Sequence, residues 1–293
     1  MANVQEKIAV LMEAMPYIKQ YQGKVVVVKF GGNAMINEEV KRAVLEDVVL
    51  MQALGMKPVI SHGGGPAINQ LLEKLQIQSE FINGLRVTSK DVIEVVEMVL
   101  AGKVNGELVQ KVTAAGGQAV GVSGVSAGIY HCEKRKSDVD YGFVGDVVSV
   151  NPAAVEALID KGFIPIVSPI GSDGQGNSYN INGDTAAGEL AAALKAEKLI
   201  ILTDIEGLCN DIKIKDVINY LNVKDVAPLK EKGTIAGGMI PKVDSCVSAI
   251  EKGVRSVHIM DGRQQHSVLF EAFVKDGYGT VVGTESESVG IKW

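Results

Sequence analysis

Apolar positions along the chain follow two rhythms, one of period near 3.6 and one of unbroken short runs. In residues 4–15, Ile8, Leu11, Met12 and Met15 recur at helical spacing, ahead of any strand, and Pro16 is expected to break or kink that helix. A helix in that position either packs on its own body or docks on a second subunit. The run Lys24-Val25-Val26-Val27-Val28-Lys29-Phe30 is β-branched without polar alternation, which predicts a strand buried on both faces and hence a parallel sheet covered by helices. A helix over 38–54, a strand over 57–60, the triplet Gly63-Gly64-Gly65 and a further helix from Ala67 continue the βα alternation. Asn83-Gly84 before Leu85-Arg86-Val87-Thr88 predicts a hairpin that interrupts it. Helices over 89–100 and on to Gly116-Gly117, a strand over 119–122, exposed strands through Lys136, a helix over 152–161 and a strand over 163–167 follow. The loop-like run 171–177 is where the two halves should divide. Beyond it the pattern predicts a helix over 185–194, a strand over 198–203, a polar excursion over 210–233, a helix over 241–252, a strand over 256–260, a last helix and a strand over 279–282. The expected fold is α/β: an open, mainly parallel central sheet sandwiched between helices, with an extra N-terminal helix.

Composition narrows the class. With 293 residues, 46% of them hydrophobic, a sizeable core is available. A net charge of -6 and no basic run longer than the one around Lys134-Arg135-Lys136 argue against a nucleic-acid surface. Cys132, Cys209 and Cys246 are widely spaced and lack metal-ligand spacing, which suits small core positions in a reducing compartment. No stretch approaches the ~18 uninterrupted apolar residues of a membrane span, and the N-terminus lacks a secretory pattern, so a cytoplasmic location without membrane contact is expected.

The candidate chemistry gathers where strands end or helices begin: Lys29, Asn33, His62, Asn180, Asn182, Asp184, Asp204 and Lys242. In open α/β sheets, ligands bind outside the carboxyl ends of the strands. Consecutive glycines at a strand-to-helix junction offer backbone N–H groups at the positive end of a helix, an anion cradle, although a flexible turn would use the same residues. Lys29, beside Gly31-Gly32, is suited to phosphate contact or to snorkelling at the sheet edge. Lys242 opens a helix, where a cation opposes the macrodipole. Asn182 or Asp184 is an N-cap, or holds nearby lysines; Asp204 orients a lysine or closes a turn. Arg86 is a carboxylate clamp if it faces the cleft. No metal-ligand spacing, no G-x-S-x-G elbow and neither G-x-G-x-x-G nor a P-loop is present. Glycine cradles with separated lysines suit phosphoryl transfer, and a carboxylate acceptor, ionised at pH 7, needs no general base.

Taken in order, Lys29-Phe30-Gly31-Gly32-Asn33-Ala34-Met35, His62-Gly63-Gly64-Gly65-Pro66, Gly84-Leu85-Arg86-Val87-Thr88, Gly142-Phe143-Val144-Gly145-Asp146-Val147, Tyr179-Asn180-Ile181-Asn182, Asp184-Thr185-Ala186-Ala187-Gly188-Glu189 and Gly237-Gly238-Met239-Ile240-Pro241-Lys242-Val243 resemble the amino acid kinase family, and within it the arginine-sensitive, hexameric branch acting on N-acetyl-L-glutamate. The resemblance implies ATP-dependent phosphorylation of the γ-carboxylate of N-acetyl-L-glutamate in arginine biosynthesis. It implies that Lys29 and Lys242 stabilise the phosphoryl group and Asp184 organises them, with Gly31, Gly32, Gly64 and Gly65 donating to phosphoryl oxygens. Gly64, Gly65, Arg86 and Asn180 would hold the acyl substrate, and Asp204, Gly237 and Gly238 would lie on the nucleotide side. ATP would bring Mg2+ held mainly by its phosphates, with no direct protein ligand. Residues 1–22 would form an oligomerisation helix, 23–176 an acyl-substrate lobe and 177–293 a nucleotide lobe sharing one sheet, in a hexamer built as a trimer of dimers. L-Arginine would inhibit through Tyr17 or Tyr21, His266, Glu271 and the segment containing Gly277 and Gly279. The sequence departs from the family at Phe30, Gly183, Glu206 and the 126–132 segment. Rival readings are an acylphosphate-forming kinase for aspartate or an aminoadipate derivative, and a non-catalytic amino-acid sensor.

Overall fold

The computed structural model describes residues 4–211, 216–273 and 279–284. The run expected to be buried on both faces is the central strand, Val25–Phe30. Val26, Val28 and Phe30 face one apolar cluster, with Val44 and Val48 of the helix Glu38–Ala53. Val27 faces the other, with Ala186, Ala187 and Leu190 of the helix Gly183–Ala193. Each fully buried valine contributes roughly 1.5–3 kcal/mol, so a polar residue on either face would be costly.

Around this strand an eight-stranded sheet runs in the order Tyr220–Asn222, Thr280–Gly283, Ser256–Asp261, Lys198–Thr203, Val25–Phe30, Lys57–His62, Ile164–Ser168, Ala119–Ser123. The six strands from Ser256–Asp261 to Ala119–Ser123 are parallel; Thr280–Gly283 pairs antiparallel to Ser256–Asp261. Chain order reverses across Val25–Phe30, which has Lys57–His62 on one side and Lys198–Thr203 on the other. The carboxyl ends of these three strands therefore open a crevice at the switch point.

A second, four-stranded sheet lies in the order Ser178–Asn180, Ile170–Ser172, Tyr130–Lys134, Gly145–Val150. The run 171–177 turns the chain between Ile170–Ser172 and Ser178–Asn180, which pair antiparallel. The stretch expected as exposed strands is only half exposed, because Tyr130 and Cys132 alternate into the core. The hairpin at Asn83-Gly84 forms, joining Phe81–Ile82 to Leu85–Arg86, with positive φ at both turn residues.

Two further expectations are corrected. The first helix, Val4–Tyr21, continues through Pro16, so of the expected break or kink the break does not occur. Its end is secured by Tyr21, buried against the Lys198 ammonium 5.0 Å from the ring, while Ile8, Leu11, Met12 and Met15 stay exposed. Within the polar excursion, Tyr220–Asn222 joins the sheet edge beside Thr280–Gly283; three residues among polar neighbours give too short a signal for a strand.

Candidate functional site

The cleft begins with a cap. Asn182 accepts from the backbone N–H groups of Asp184 and Thr185, so it closes the N-terminus of the helix Gly183–Ala193 and leaves the Asp184 side chain available. Lys29, at the end of the central strand, reaches Asp184 Oδ1 at 2.9 Å. Lys242, in the first turn of the helix Met239–Glu251, reaches Oδ2 at 2.7 Å. Burial by itself would raise the Asp184 carboxyl, but the two ammonium groups outweigh it and hold it at about 2. Each carboxylate oxygen is engaged by a lysine, so Asp184 is placed as an organiser and not as a base. Two cations against one anion leave a surplus positive charge.

Glycines supply the floor. Gly63 N–H donates to the Phe30 carbonyl at 2.8 Å, tying the triplet to the end of the central strand. A Cβ on Gly63 would sit 3.7 Å from the Gly31 Cα, so the two glycine loops lie side by side. Gly32 takes a φ of +65°, and a Cβ there would stand 3.4 Å from the Asp204 carboxylate. Gly64 is extended, and a Cβ there would meet Leu100 Cδ2 at 2.5 Å. Gly31, Gly32, Gly63, Gly64 and Leu100 line a cavity of about 260 Å³ together with Lys29, Gly65, Arg86, Asn180, Asn182 and Asp184.

Arg86 is buried on the cleft side of the hairpin, held by Asn69 Oδ1, by Ser79 Oγ at 3.3 Å and by the ring of Phe81 at 4.5 Å. Burial lowers its pKa from the ordinary value. Asn180 donates to Thr88 Oγ1 at 3.3 Å, which donates to the Arg86 carbonyl at 2.9 Å, so the hairpin and the second sheet share one polar chain. Asn69, Leu100 and Asn105 lie outside the motifs read from the sequence. An apolar stripe interrupted by one asparagine was the sole trace of Asn105.

His62 is buried and hydrogen-bonded through both ring nitrogens, Nδ1 to the Gly63 carbonyl at 2.9 Å and Nε2 to Asn105 Nδ2 at 3.1 Å. Burial, partly opposed by the Gly63 bond, brings its pKa down to about 4.

Other sequence candidates lie elsewhere. Gly237 and Gly238 precede the Met239–Glu251 helix and do not line the cavity. Tyr17 is half-buried and Tyr21 buried at the end of the first helix. His266 pairs with the fully buried Asp47 at 2.6 Å; burial pushes the Asp47 carboxyl up to about 6 against the pull of His266. Gly279 takes a φ of +120° beside the Ile259 carbonyl, and Thr280 Oγ1 accepts from Leu208 N–H at 2.8 Å. Gly277, Tyr278 and the Glu271 side chain lie outside the described residues. Cys132 and Cys246 are buried and Cys209 is half-buried. Among the described residues no helix is long and apolar enough to cross a membrane, and no group of three or more metal-ligating side chains gathers.

The model of the amino acid kinase family matches residues 24–261. The chain is 51% identical over 293 residues to an acetylglutamate kinase of Heliobacterium modesticaldum, covering 96% of this chain and 99% of that protein. It is 49% identical over 280 residues to an acetylglutamate kinase of Caldanaerobacter subterraneus, covering 95% and 94% respectively. Among solved structures, an N-acetylglutamate synthase from Neisseria gonorrhoeae, complexed with coenzyme A and N-acetyl-glutamate, superimposes with a TM-score of 0.84 at 24% identity, over 95% of this chain and 64% of that longer one. At that identity the likeness speaks for the fold alone.

Proposed function

We propose, from the premise that this chain belongs to the amino acid kinase family, that it transfers the γ-phosphoryl group of ATP to the γ-carboxylate of N-acetyl-L-glutamate, a step of arginine biosynthesis in the cytoplasm. The observation that carries the reading is the Asp184 carboxylate gripping lysines from two separate elements beside paired glycine loops.

In this reading one carboxylate oxygen of the acceptor attacks the γ-phosphorus, the bond from phosphorus to the ADP oxygen breaks, and the products are N-acetyl-L-glutamyl 5-phosphate and ADP. No proton moves at the reacting atoms, so no base is needed, in keeping with an Asp184 whose oxygens are both engaged. The barrier is repulsion between two anions and the charge on the group in flight. Lys29 and Lys242 neutralise that charge, while Gly31, Gly32, Gly64 and Gly65 donate backbone N–H groups to phosphoryl oxygens. Arg86 and Asn180 hold the acetylglutamate, and the contacts of the buried Arg86 with Asn69, Ser79 and Phe81 fix the guanidinium before substrate arrives. Asp204, Gly237 and Gly238 serve the nucleotide side. Mg2+ fits as an ion held by the phosphates, because Asp184, the carboxylate lining the cavity among the described residues, is already committed to lysines. When bound it screens the phosphate charge.

Residues 23–176 hold the acyl substrate and 177–293 the nucleotide, on one shared sheet. The exposed apolar stripe of the first helix supports residues 1–22 as the contact that assembles a hexamer from dimers. L-Arginine inhibits near that helix, with Tyr17, Tyr21, His266, Glu271, Gly277 and Gly279 as its site. Trapping the acylphosphate with hydroxylamine tests the transfer itself: hydroxamate from ATP and N-acetyl-L-glutamate supports it, and hydroxamate from aspartate or glutamate alone overturns it.

A further inference from the structure

The mechanism above uses backbone N–H groups of the glycine triplet, and the chain spends two buried polar side chains outside the cavity on that triplet. The Asn105 amide faces three acceptors: Ile166 O at 2.9 Å, Val122 O at 3.4 Å and His62 Nε2 at 3.1 Å. A carbonyl only accepts, so the Asn105 atom against Ile166 and Val122 is the nitrogen, and the same nitrogen faces His62. His62 Nε2 is then an acceptor and carries no proton. In the neutral ring the proton sits on Nδ1 and is donated to the Gly63 carbonyl at 2.9 Å. The other side of Gly63 is fixed too, its N–H on the Phe30 carbonyl at 2.8 Å.

A trans peptide points its C=O and N–H in opposite directions. With the Gly63 carbonyl drawn toward the buried ring, the N–H of Gly64 in the same peptide unit is sent toward the cavity that Gly64 lines. The helix beneath is built around this arrangement. Residues Met98–Val104 are wound as a π-helix, a form found mostly at functional sites, and the next helix begins at Asn105. Leu100 of the π segment supports Gly64, and Gly121 leaves room for the Asn105 amide, whose oxygen would lie 1.8 Å from a Cβ there.

We infer that His62 and Asn105 are positioning residues for phosphoryl transfer: Asn105 fixes the Nδ1–H tautomer of His62, and His62 fixes the Gly63–Gly64 peptide so that its N–H meets the transferring group. The inference rests on the reaction proposed above, and one of its two tests does not depend on that reaction.

The first test reads the tautomer. The chain has four histidines, so the ring nitrogens of the full-length protein labelled with 15N-histidine can be assigned by comparison with His62→Asn. The expected result is a neutral His62 ring protonated at Nδ1 at pH 7; protonation at Nε2 overturns the inference whether or not the enzyme acts on acetylglutamate. The second test is kinetic. His62→Asn keeps a donor at the Nδ1 position and His62→Leu removes it. His62→Leu is expected to lower kcat about tenfold or more, since one phosphoryl donor is misaimed, and to leave both substrate KM values within about twofold. His62→Asn is expected to recover most of that loss. A folded His62→Leu with wild-type kcat, or a folded His62→Asn with kcat lowered tenfold or more, overturns the inference. If His62→Leu does not fold, the asparagine variant and the tautomer decide it. Absence of hydroxamate from the wild-type chain with acetylglutamate counts against the proposed reaction, and the tautomer measurement still decides this inference.

Discussion

Asp184→Asn removes one charge and keeps the shape of the side chain, so it isolates what the carboxylate does for the two lysines. In the native protein burial works against the anion, yet the carboxyl drops from its ordinary 3.8 to about 2 because Lys29 and Lys242 lie at 2.9 and 2.7 Å. At about 1.4 kcal/mol per pH unit, that drop corresponds to about 2–3 kcal/mol of net preference for the ionised form. The sign follows from linkage: a depressed carboxylate stabilises the fold above its unfolded pKa, and the contribution fades as pH falls through about 2. Urea unfolding at pH 7 should therefore show the variant less stable by about 2–3 kcal/mol, with the gap narrowing below about pH 4. The kinetic effect should be larger, because both phosphoryl-neutralising lysines lose their anchor at once. We expect kcat to fall about 100-fold in the hydroxamate assay, with KM for N-acetylglutamate within about threefold. A variant as stable as the native chain, with kcat within about twofold, would refute the organising role.

Lys29→Ala and Lys242→Ala should each lower kcat far more than they raise either KM, and an unchanged kcat removes that lysine from the site. Arg86→Lys should instead raise KM for N-acetylglutamate about tenfold or more, since an ammonium cannot reproduce the planar fork held by Asn69 and Ser79; an unchanged KM would place the acyl substrate elsewhere. Gly64→Ala should cost activity because its Cβ meets Leu100 at 2.5 Å, and Gly64→Ala with Leu100→Ala should recover part of it; no recovery would separate the loss from that contact. Light scattering of the full chain should report a hexamer, and deletion of residues 1–22 a dimer. A full-length dimer contradicts the role given to the exposed Ile8, Leu11, Met12 and Met15 stripe.

The sheet was legible wherever one residue run met one physical requirement. Four valines in a row suit a strand buried on both faces, as in a parallel sheet covered by helices, and the structure places Val26 and Val28 on one side and Val27 on the other. The lysines, Asp184 and the glycines were legible for a related reason: a cation opening a helix and glycines at a strand end are locally unfavourable choices that call for a ligand or, for Lys242, an ion pair with a nearby aspartate, and the structure pairs Lys242 with Asp184. The sequence leaves the cap open between Asn182 and Asp184; in the structure Asn182 takes both N–H groups. What the chain hid was long-range or too short. Tyr220–Asn222 is a strand because Thr280–Gly283 lies beside it, a pairing across some 60 residues that no local pattern records. Pro16 reads as a breaker, yet the helix passes through it. Asn105 resembles any helical polar residue until His62, Val122 and Ile166 converge on it.

Incubation of the purified chain with MgATP, hydroxylamine and each of N-acetyl-L-glutamate, L-glutamate and L-aspartate tests the central claim most directly. Hydroxamate is expected with N-acetyl-L-glutamate and none, or far less, with the other two. Hydroxamate from glutamate or aspartate without any from N-acetyl-L-glutamate would contradict it.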